Sequence, residues 1–243
     1  MVPVDPRGQS SRSKWLWIAI GALAAVTVFG GAYSYYLSLQ RVARAASCRN
    51  DVFYLREYIR AYAADHDGLI PPLSQTAGNL TMDPTGFYPE YLENACWLQC
   101  EWSDIRRRPN HHKNDDLGLS AFNDDSLCYL PWAMTTEAEG LAFVEAYKHL
   151  ELSRANEDLE VEIDGRSRVL SRTRLSKAVL DQTIDENAPL GVPIAIEWPD
   201  TFHSGGTVLF SNGWIVTMQL GDEFPMTPKF IAALREIAQT DNE

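Results

Sequence analysis

The most extreme stretch of the hydrophobic pattern comes early. Trp15 to Tyr36 (WLWIAIGALAAVTVFGGAYSYY) carries no charged residue. At about 1.5 Å per residue a helix of this length matches the roughly 30 Å hydrocarbon core of a bilayer. Trp15 and Trp17 stand at one end, Tyr33, Tyr35 and Tyr36 at the other, where an aromatic belt belongs. The pattern predicts a membrane-spanning helix over residues 15–36. A cleaved signal peptide would have a shorter apolar core and a small-residue cleavage site, whereas this run ends in tyrosines followed by Leu37, Leu39 and Val42. A core helix of a soluble domain would show a polar stripe, and here apolar residues occur on every face.

Past Tyr36 the pattern changes period. Leu39, Val42/Ala43, Ala46, Phe53, Ile59 and Tyr62 approximate a helical stripe, with Arg41, Arg44, Arg49, Glu57 and Arg60 among the polar positions. Neither Pro nor Gly interrupts residues 32–67, and Gly68 followed by Pro71-Pro72 marks a stop. The expectation is one continuous helix that leaves the bilayer as an amphipathic extension over 37–67. From Gly68 to Pro131 the chain reads as turns, loops and short helices, including one over Pro89 to Trp97. Thr135–Leu152 reads as a helix, with Leu141, Val144, Ala146/Tyr147 and Leu150 on one face. Leu159–Ile163 and Arg166–Leu170 form a hairpin around Asp164-Gly165, and Thr173–Ile184 reads as a helix.

The β signal is clearest near the end. Val192–Trp198 is a strand, and Thr207–Ser211 and Trp214–Gln219 flank Asn212-Gly213, a strong hairpin signal. That turn is expected to have two residues, both with positive φ. Thr227-Pro228 caps a last helix that buries Phe230, Ile231, Leu234 and Ile237. The chain therefore divides into an N-terminal tail (1–14), a span (15–36), a helical extension (37–67) and an α+β domain (68–243). The fold class is α+β, a long helix packed on a small antiparallel sheet.

Charge narrows the function. The chain has 21 Lys and Arg against 33 Asp and Glu; setting aside Arg7, Arg12, Lys14 and Asp5 leaves 18 against 32 after the span, a net −14. A nucleic-acid partner is excluded, because phosphate recognition needs a basic face. Basic residues flank the span about equally, so the positive-inside rule does not orient it. Cys48, Cys96, Cys100 and Cys128 all follow the span, an even number that suits an oxidising compartment and an exported C-terminal domain. Four cysteines allow three pairings. Cys48 lies about 18 Å beyond Tyr36 by helical rise, and Cys100–Cys128 is the preferred bond. It would close a loop of about 29 residues and contribute roughly 3 kcal/mol.

No nucleophile motif, zincin motif or phosphate-binding loop is present. His203 before Gly205-Gly206 is read as a structural hydrogen-bonding residue, and His111-His112 lacks a third metal ligand. Asn114-Asp115-Asp116 and Asn123-Asp124-Asp125 offer the hard oxygens that Ca²⁺ prefers, without EF-hand spacing. Such runs are usually solvated loops, so no cofactor is expected. Among the seven tryptophans, Trp97, Trp102, Trp132, Trp198 and Trp214 are candidates for a groove that binds glycans or exported proteins, with core packing the commoner fate.

The order of elements resembles the pilin/pseudopilin architecture of type II secretion and type IV pili. Tyr62-Ala63-Ala64-Asp65-His66-Asp67-Gly68-Leu69-Ile70-Pro71-Pro72 is similar to the helix exit of major-pseudopilin-like proteins, and Phe87-Tyr88-Pro89-Glu90-Tyr91-Leu92 to a mid-domain pattern in such families. His203-Ser204-Gly205-Gly206, an apolar strand and Asn212-Gly213 are similar to their C-terminal signature, with Asn in place of Asp. The prepilin-peptidase signature is absent, and no Glu precedes Glu57. The resemblance implies a non-enzymatic, single-pass protein of the bacterial inner membrane with a periplasmic C-terminal domain. Its partners would be other pseudopilin or secretion-system subunits, and a calcium-stabilised loop would fit the family. A membrane-tethered binding module is the alternative.

Overall fold

The computed structural model describes residues 8–92, 127–182, 189–198 and 205–239. The chain forms two units, Met1–Arg44 and Ala45–Glu243. Helix α1 runs from Gly8 to Asp65, so the predicted span and extension are one helix. In the first unit, Trp15–Gln40 is long and apolar enough to cross a membrane, and its large side chains are exposed.

In the second unit α1 buries Val52, Leu55, Ile59 and Ala63, a spacing of three and four that keeps them on one face. The predicted stripe is corrected here. Leu39, Val42, Ala46 and Phe53 are exposed, and Tyr62 is half-buried. The apolar residues before Ala45 belong to the other unit, and the Phe53 ring is covered by the Arg56 guanidinium, 4.3 Å from its centroid, instead of the core. The helix ends because Asp67 (φ 54°) and Gly68 (φ 82°) turn left-handed. The Gly68 N–H then donates back to the Ala63 carbonyl at 2.8 Å, the bond that closes a Schellman-type end.

The main sheet is antiparallel throughout, in the order β1 (Leu127–Tyr129), β4 (Pro193–Glu197), β5 (Gly205–Phe210), β6 (Ile215–Gln219). All six residues of β5 are buried, so Val208 and Phe210 on one face and Leu209 on the other are both covered. Helix α2 (Glu137–Tyr147) lies against β2 (Leu159–Ile163) and α4 (Pro228–Gln239). A fully buried Gly140 makes room for the Phe224 and Phe230 rings: a Cβ there would lie 2.7 Å from either. Strand β2 pairs with β3 (Arg166–Leu170) in a separate two-stranded ribbon. The four residues expected to anchor α4, Phe230, Ile231, Leu234 and Ile237, are buried.

Other expectations need correction. Residues Pro89–Leu92 form turns, not the start of a helix, and residues 93–97 lie outside the described set. Among the described residues of the segment expected to be a helix from Thr173 to Ile184, Lys177–Leu180 (α3) alone is helical, because Thr173–Leu175 is extended and bonded to neighbouring chain. Strand β1 lies within Gly68–Pro131, where the pattern predicts turns, loops and short helices. The two hairpins also differ in turn type. Asp164 (φ 51°) and Gly165 (φ 71°) form a two-residue turn with both φ positive, whereas at the second hairpin only Gly213 (φ 84°) is left-handed. There the Gly213 N–H donates to the Phe210 carbonyl at 2.9 Å and the Phe210 N–H to the Trp214 carbonyl at 2.9 Å. The loop is therefore Ser211-Asn212-Gly213, three residues ending in a left-handed glycine. Asn212 spends its side chain on the Pro189 carbonyl and the Trp214 N–H.

Candidate functional site

The C-terminal end of α1 is held by a strand-like segment, Ser171–Leu175. The Leu175 N–H donates to the Gly68 carbonyl at 2.8 Å and the Ile70 N–H to the Thr173 carbonyl at 3.4 Å. Further back on the same segment, the Ala133 N–H donates to the Ser171 carbonyl and the Thr173 N–H to the Pro131 carbonyl, both at 2.8 Å. Alternate residues of a strand bond toward the same edge. Gly68–Ile70 and Pro131–Ala133 therefore occupy one edge of this segment in line. The fit at Gly68 is close, since a Cβ would meet the Leu175 carbonyl oxygen at 2.9 Å.

Arg172 fixes the same junction from its side chain. Its Nη2 donates to the carbonyls of Ile70 and Pro71, each at 2.9 Å, and its Nη1 to the Ala155 carbonyl at 3.1 Å and Asn156 Oδ1 at 3.2 Å. The guanidinium also lies 5.9 Å from the centroid of the fully buried Trp132 ring. Burial pulls the Arg172 pKa down, against the opposing influence of Tyr129, Tyr62 and Asp158. The Tyr129 hydroxyl, completely buried, donates to the Pro71 carbonyl at 2.6 Å. Burial drives its pKa well above the usual tyrosine value, although the Arg172 charge acts the other way. Apart from the bond to Asn156, these donors serve main-chain carbonyls, so the cluster is built to hold the turn after α1 in one shape.

Beside it lies an aromatic group. Tyr62 and His66 stack with centroids 3.7 Å apart and planes 3° from parallel; Tyr91 meets both edge-on at 5.3 and 6.0 Å. Phe87 packs on Tyr62 at 5.9 Å. The Tyr91 hydroxyl donates to Asp65 at 3.0 Å, and its pKa is raised by desolvation and by that carboxylate. Burial likewise raises the pKa of Tyr62. His66 Nδ1 lies 2.7 Å from the Tyr62 carbonyl, an acceptor only, which places a proton on Nδ1. Two strings singled out in the sequence, 62–72 and 87–92, thus meet in one cluster.

Further up α1, Arg56 Nη1 donates to the Gly213 carbonyl at 3.3 Å and Arg60 Nη1 to the Leu180 carbonyl at 3.1 Å, with Glu57 bridging the two arginines. The hairpin tip is therefore tied to the helix. Gly205 and Gly206 open β5, where Cβ atoms would lie 2.0 Å from the Met218 carbonyl oxygen and 2.1 Å from that of Glu197. Close approach of both neighbouring strands explains the glycine pair.

Several sequence candidates fall outside the described residues: His203, His111-His112, Cys96, Cys100, Trp97, Trp102 and both acidic-amide clusters. Cys48 lies in α1 with its side chain outside the described set, and Cys128 is buried in β1. Trp132 is buried, with its Nε1–H donating to the Glu157 carbonyl at 3.0 Å, while Trp198 and Trp214 are half-buried. Trp132 is thus no wall of a ligand groove. No group of three or more His, Cys, Asp and Glu suited to a metal occurs among the described residues. Arg172 and Arg56 were missed from the sequence, because a lone arginine carries no spacing signal. Comparison with family models, curated proteins and solved structures finds no match.

Proposed function

We propose that this chain is a non-enzymatic, membrane-anchored, pseudopilin-like protein of the bacterial inner membrane, with its α+β domain in the periplasm. Its role is structural or interactive, in or beside a secretion or pilus-like apparatus. The observation that carries this reading is the double character of α1. One stretch of it, Trp15–Gln40, is apolar with its large side chains exposed, and a later stretch, Val52–Ala63, supplies core residues to a domain with an antiparallel sheet. An exposed apolar helix of that length and composition suits lipid. Arg56 and Arg60, bonded to the carbonyls of Gly213 and Leu180, fit a domain whose loops are tied to the part of α1 that it covers.

Fractionation and intact mass test the reading together. The chain is expected to remain in the membrane pellet after an alkaline wash, to dissolve only in detergent, and to show the mass of the uncleaved sequence. Release by the alkaline wash overturns the anchor. A mass shortened to a methylated residue just before the apolar helix overturns the claim that the chain escapes prepilin processing. Protease digestion of intact spheroplasts tests the orientation, with loss of the C-terminal domain expected.

A further inference from the structure

The edge that holds the α1 exit does not stop at Ser171. It continues along β3, where Asp164-Gly165 closes the ribbon as a two-residue turn and Ile163 pairs with Arg166. In a hairpin of that length the closing pair and every second pair after it exchange hydrogen bonds. Arg166, Arg168 and Leu170 therefore bond inward to β2, and the N–H and C=O groups of Ser167 and Val169 face outward. Ser167, Val169, Ser171, Thr173 and Leu175 form one line of outward positions. Gly68–Ile70 fills its far end, Pro131–Ala133 its middle, and no described strand pairs with Ser167–Val169.

The chemistry of this open stretch is distinctive. Residues 166–169 are all exposed, and Val169, an apolar side chain, is 63% accessible. From Gly165 to Leu180 the chain has five basic residues (Arg166, Arg168, Arg172, Arg174, Lys177) and no acid, within a protein of net charge −12. Neither Arg166 nor Arg168 has an ion pair among the described residues. A second copy of β3 is a poor partner, because antiparallel pairing would set arginines against arginines. On its other edge β3 pairs with Leu-Glu-Val-Glu-Ile, where Glu160 and Glu162 stand opposite Val169 and Ser167, so Arg166 and Arg168 have no carboxylate across the pair.

We infer that the Ser167–Val169 edge is a docking site for an extended peptide segment of a partner protein that carries carboxylates two residues apart. Main-chain bonds to Ser167 and Val169 would supply the pairing, as in strand addition to an exposed sheet edge. The carboxylates would stand opposite Arg166 and Arg168, in the non-hydrogen-bonded pairs where side chains approach most closely. The inference concerns the folded domain and is independent of anchoring or processing.

The full chain in detergent, titrated with a fluorescent peptide Thr-Glu-Val-Glu-Val-Glu-Thr at constant ionic strength, tests it. Saturable binding with Kd below about 1 mM is expected, with slowed amide exchange at Ser167 and Val169. Replacing Glu by Lys in the peptide, or N-methylating alternate residues on its pairing edge, should each weaken binding by roughly tenfold or more. The R166E/R168E variant should lose the Glu peptide to the same degree, and the peptide series keeps the test valid if that variant misfolds. No saturation at millimolar peptide overturns the site and leaves the arginines as edge protection against self-pairing. Binding indifferent to N-methylation, or unaffected in R166E/R168E, also overturns it.

Discussion

Arg56 and Gly213 stand 157 positions apart in the chain, yet the Arg56 guanidinium donates to the Gly213 carbonyl at 3.3 Å. Through this bond the tip of the β5–β6 hairpin rests on the helix that leads back to the apolar segment. Glu57 holds Arg56 at 2.7 Å and Arg60 at 3.0 Å, so the donor to the hairpin tip is held by a neighbour on its own helix.

Substitutions at the two ends of this contact should differ in kind. Arg56→Ala removes the bond to the Gly213 carbonyl together with the Glu57 pair and the cover over Phe53, all at a partly exposed site, and is expected to cost about 1–2 kcal/mol. Gly213→Val forces a β-branched residue to φ 84° and should cost more, since the left-handed region is strained for such side chains. Gly213→Asn, which tolerates positive φ, should fall between native and Val. Thermal unfolding followed by circular dichroism ranks the three; equal melting temperatures for Gly213→Val and the native chain would remove the hairpin from the folding argument.

Gly206 and Gly221 offer a contrast between crowding and backbone strain. An alanine Cβ at 206 would sit 2.1 Å from the Glu197 carbonyl, while at Gly221 (φ 107°) nothing lies within 4 Å. Gly206→Ala should force β4 and β5 apart and cost more than roughly 2 kcal/mol, whereas Gly221→Ala should cost about 1 kcal/mol. Urea unfolding midpoints measure both. A Gly206→Ala variant as stable as Gly221→Ala would show that the sheet opens without resistance there.

Arg172 is the side chain on which the α1 exit depends most. Lysine keeps the charge but cannot reach the carbonyls of Ile70, Pro71 and Ala155 together. Arg172→Lys is expected to destabilise the domain by about 3 kcal/mol. It should also raise the exchange rate of the Ile70 and Leu175 amides. Unchanged exchange at those two positions would show that the main-chain bonds hold the junction alone.

Helix α2 carries a pH-dependent cap. Thr136 accepts from the Glu139 N–H, and the Glu139 carboxylate accepts from the Thr135 and Thr136 N–H groups. Desolvation raises the Glu139 pKa, but the bonds from Thr135 and Thr136 outweigh it and leave the pKa below its ordinary 4.5. A depressed carboxylate stabilises the fold fully above the unfolded value and loses that stabilisation as pH falls through the folded one. Stability should therefore decline below about pH 4.5 more steeply in the native chain than in Glu139→Gln. Parallel acid unfolding profiles would sink the idea.

How much of this was legible in the chain depends on range. The apolar run, the Gly68 stop, the Asp164-Gly165 turn and the Phe230/Ile231/Leu234/Ile237 face follow from local spacing, and each stands where the pattern put it. Strand β1 has three residues and exists through its pairing with β4, from Tyr129 with Ala195 to Leu127 with Glu197, a long-range fact without local signature. The local composition of Thr173–Leu175 permits a helix, but bonds to Gly68–Ile70 and Pro131 override that preference. At Asn212 the dipeptide was recognised correctly and the turn type was not. The Asn side chain bonds the Pro189 carbonyl, a partner the hairpin sequence does not contain. The junction cluster followed the same rule: its motifs were visible separately, and only the fold brought 62–72 to 87–92.

The phase of α1 gives the sharpest test of the second unit. The sequence stripe placed Phe53 with Ile59, but the two are six positions apart, which in a helix of 3.6 residues per turn puts them about 120° from one face. Ile59 is 1% exposed and Phe53 45%. Ile59→Ala should cost roughly 2–5 kcal/mol, since it leaves a cavity under the helix. Phe53→Ala removes only a ring that Arg56 covers from outside, at 4.3 Å, and should cost at most about 1 kcal/mol. Denaturant unfolding of the two variants decides between the faces. If Phe53→Ala proved the more damaging, the buried line Val52, Leu55, Ile59 and Ala63 would be the wrong one, and the rotation of the helix against the core would have to be redrawn.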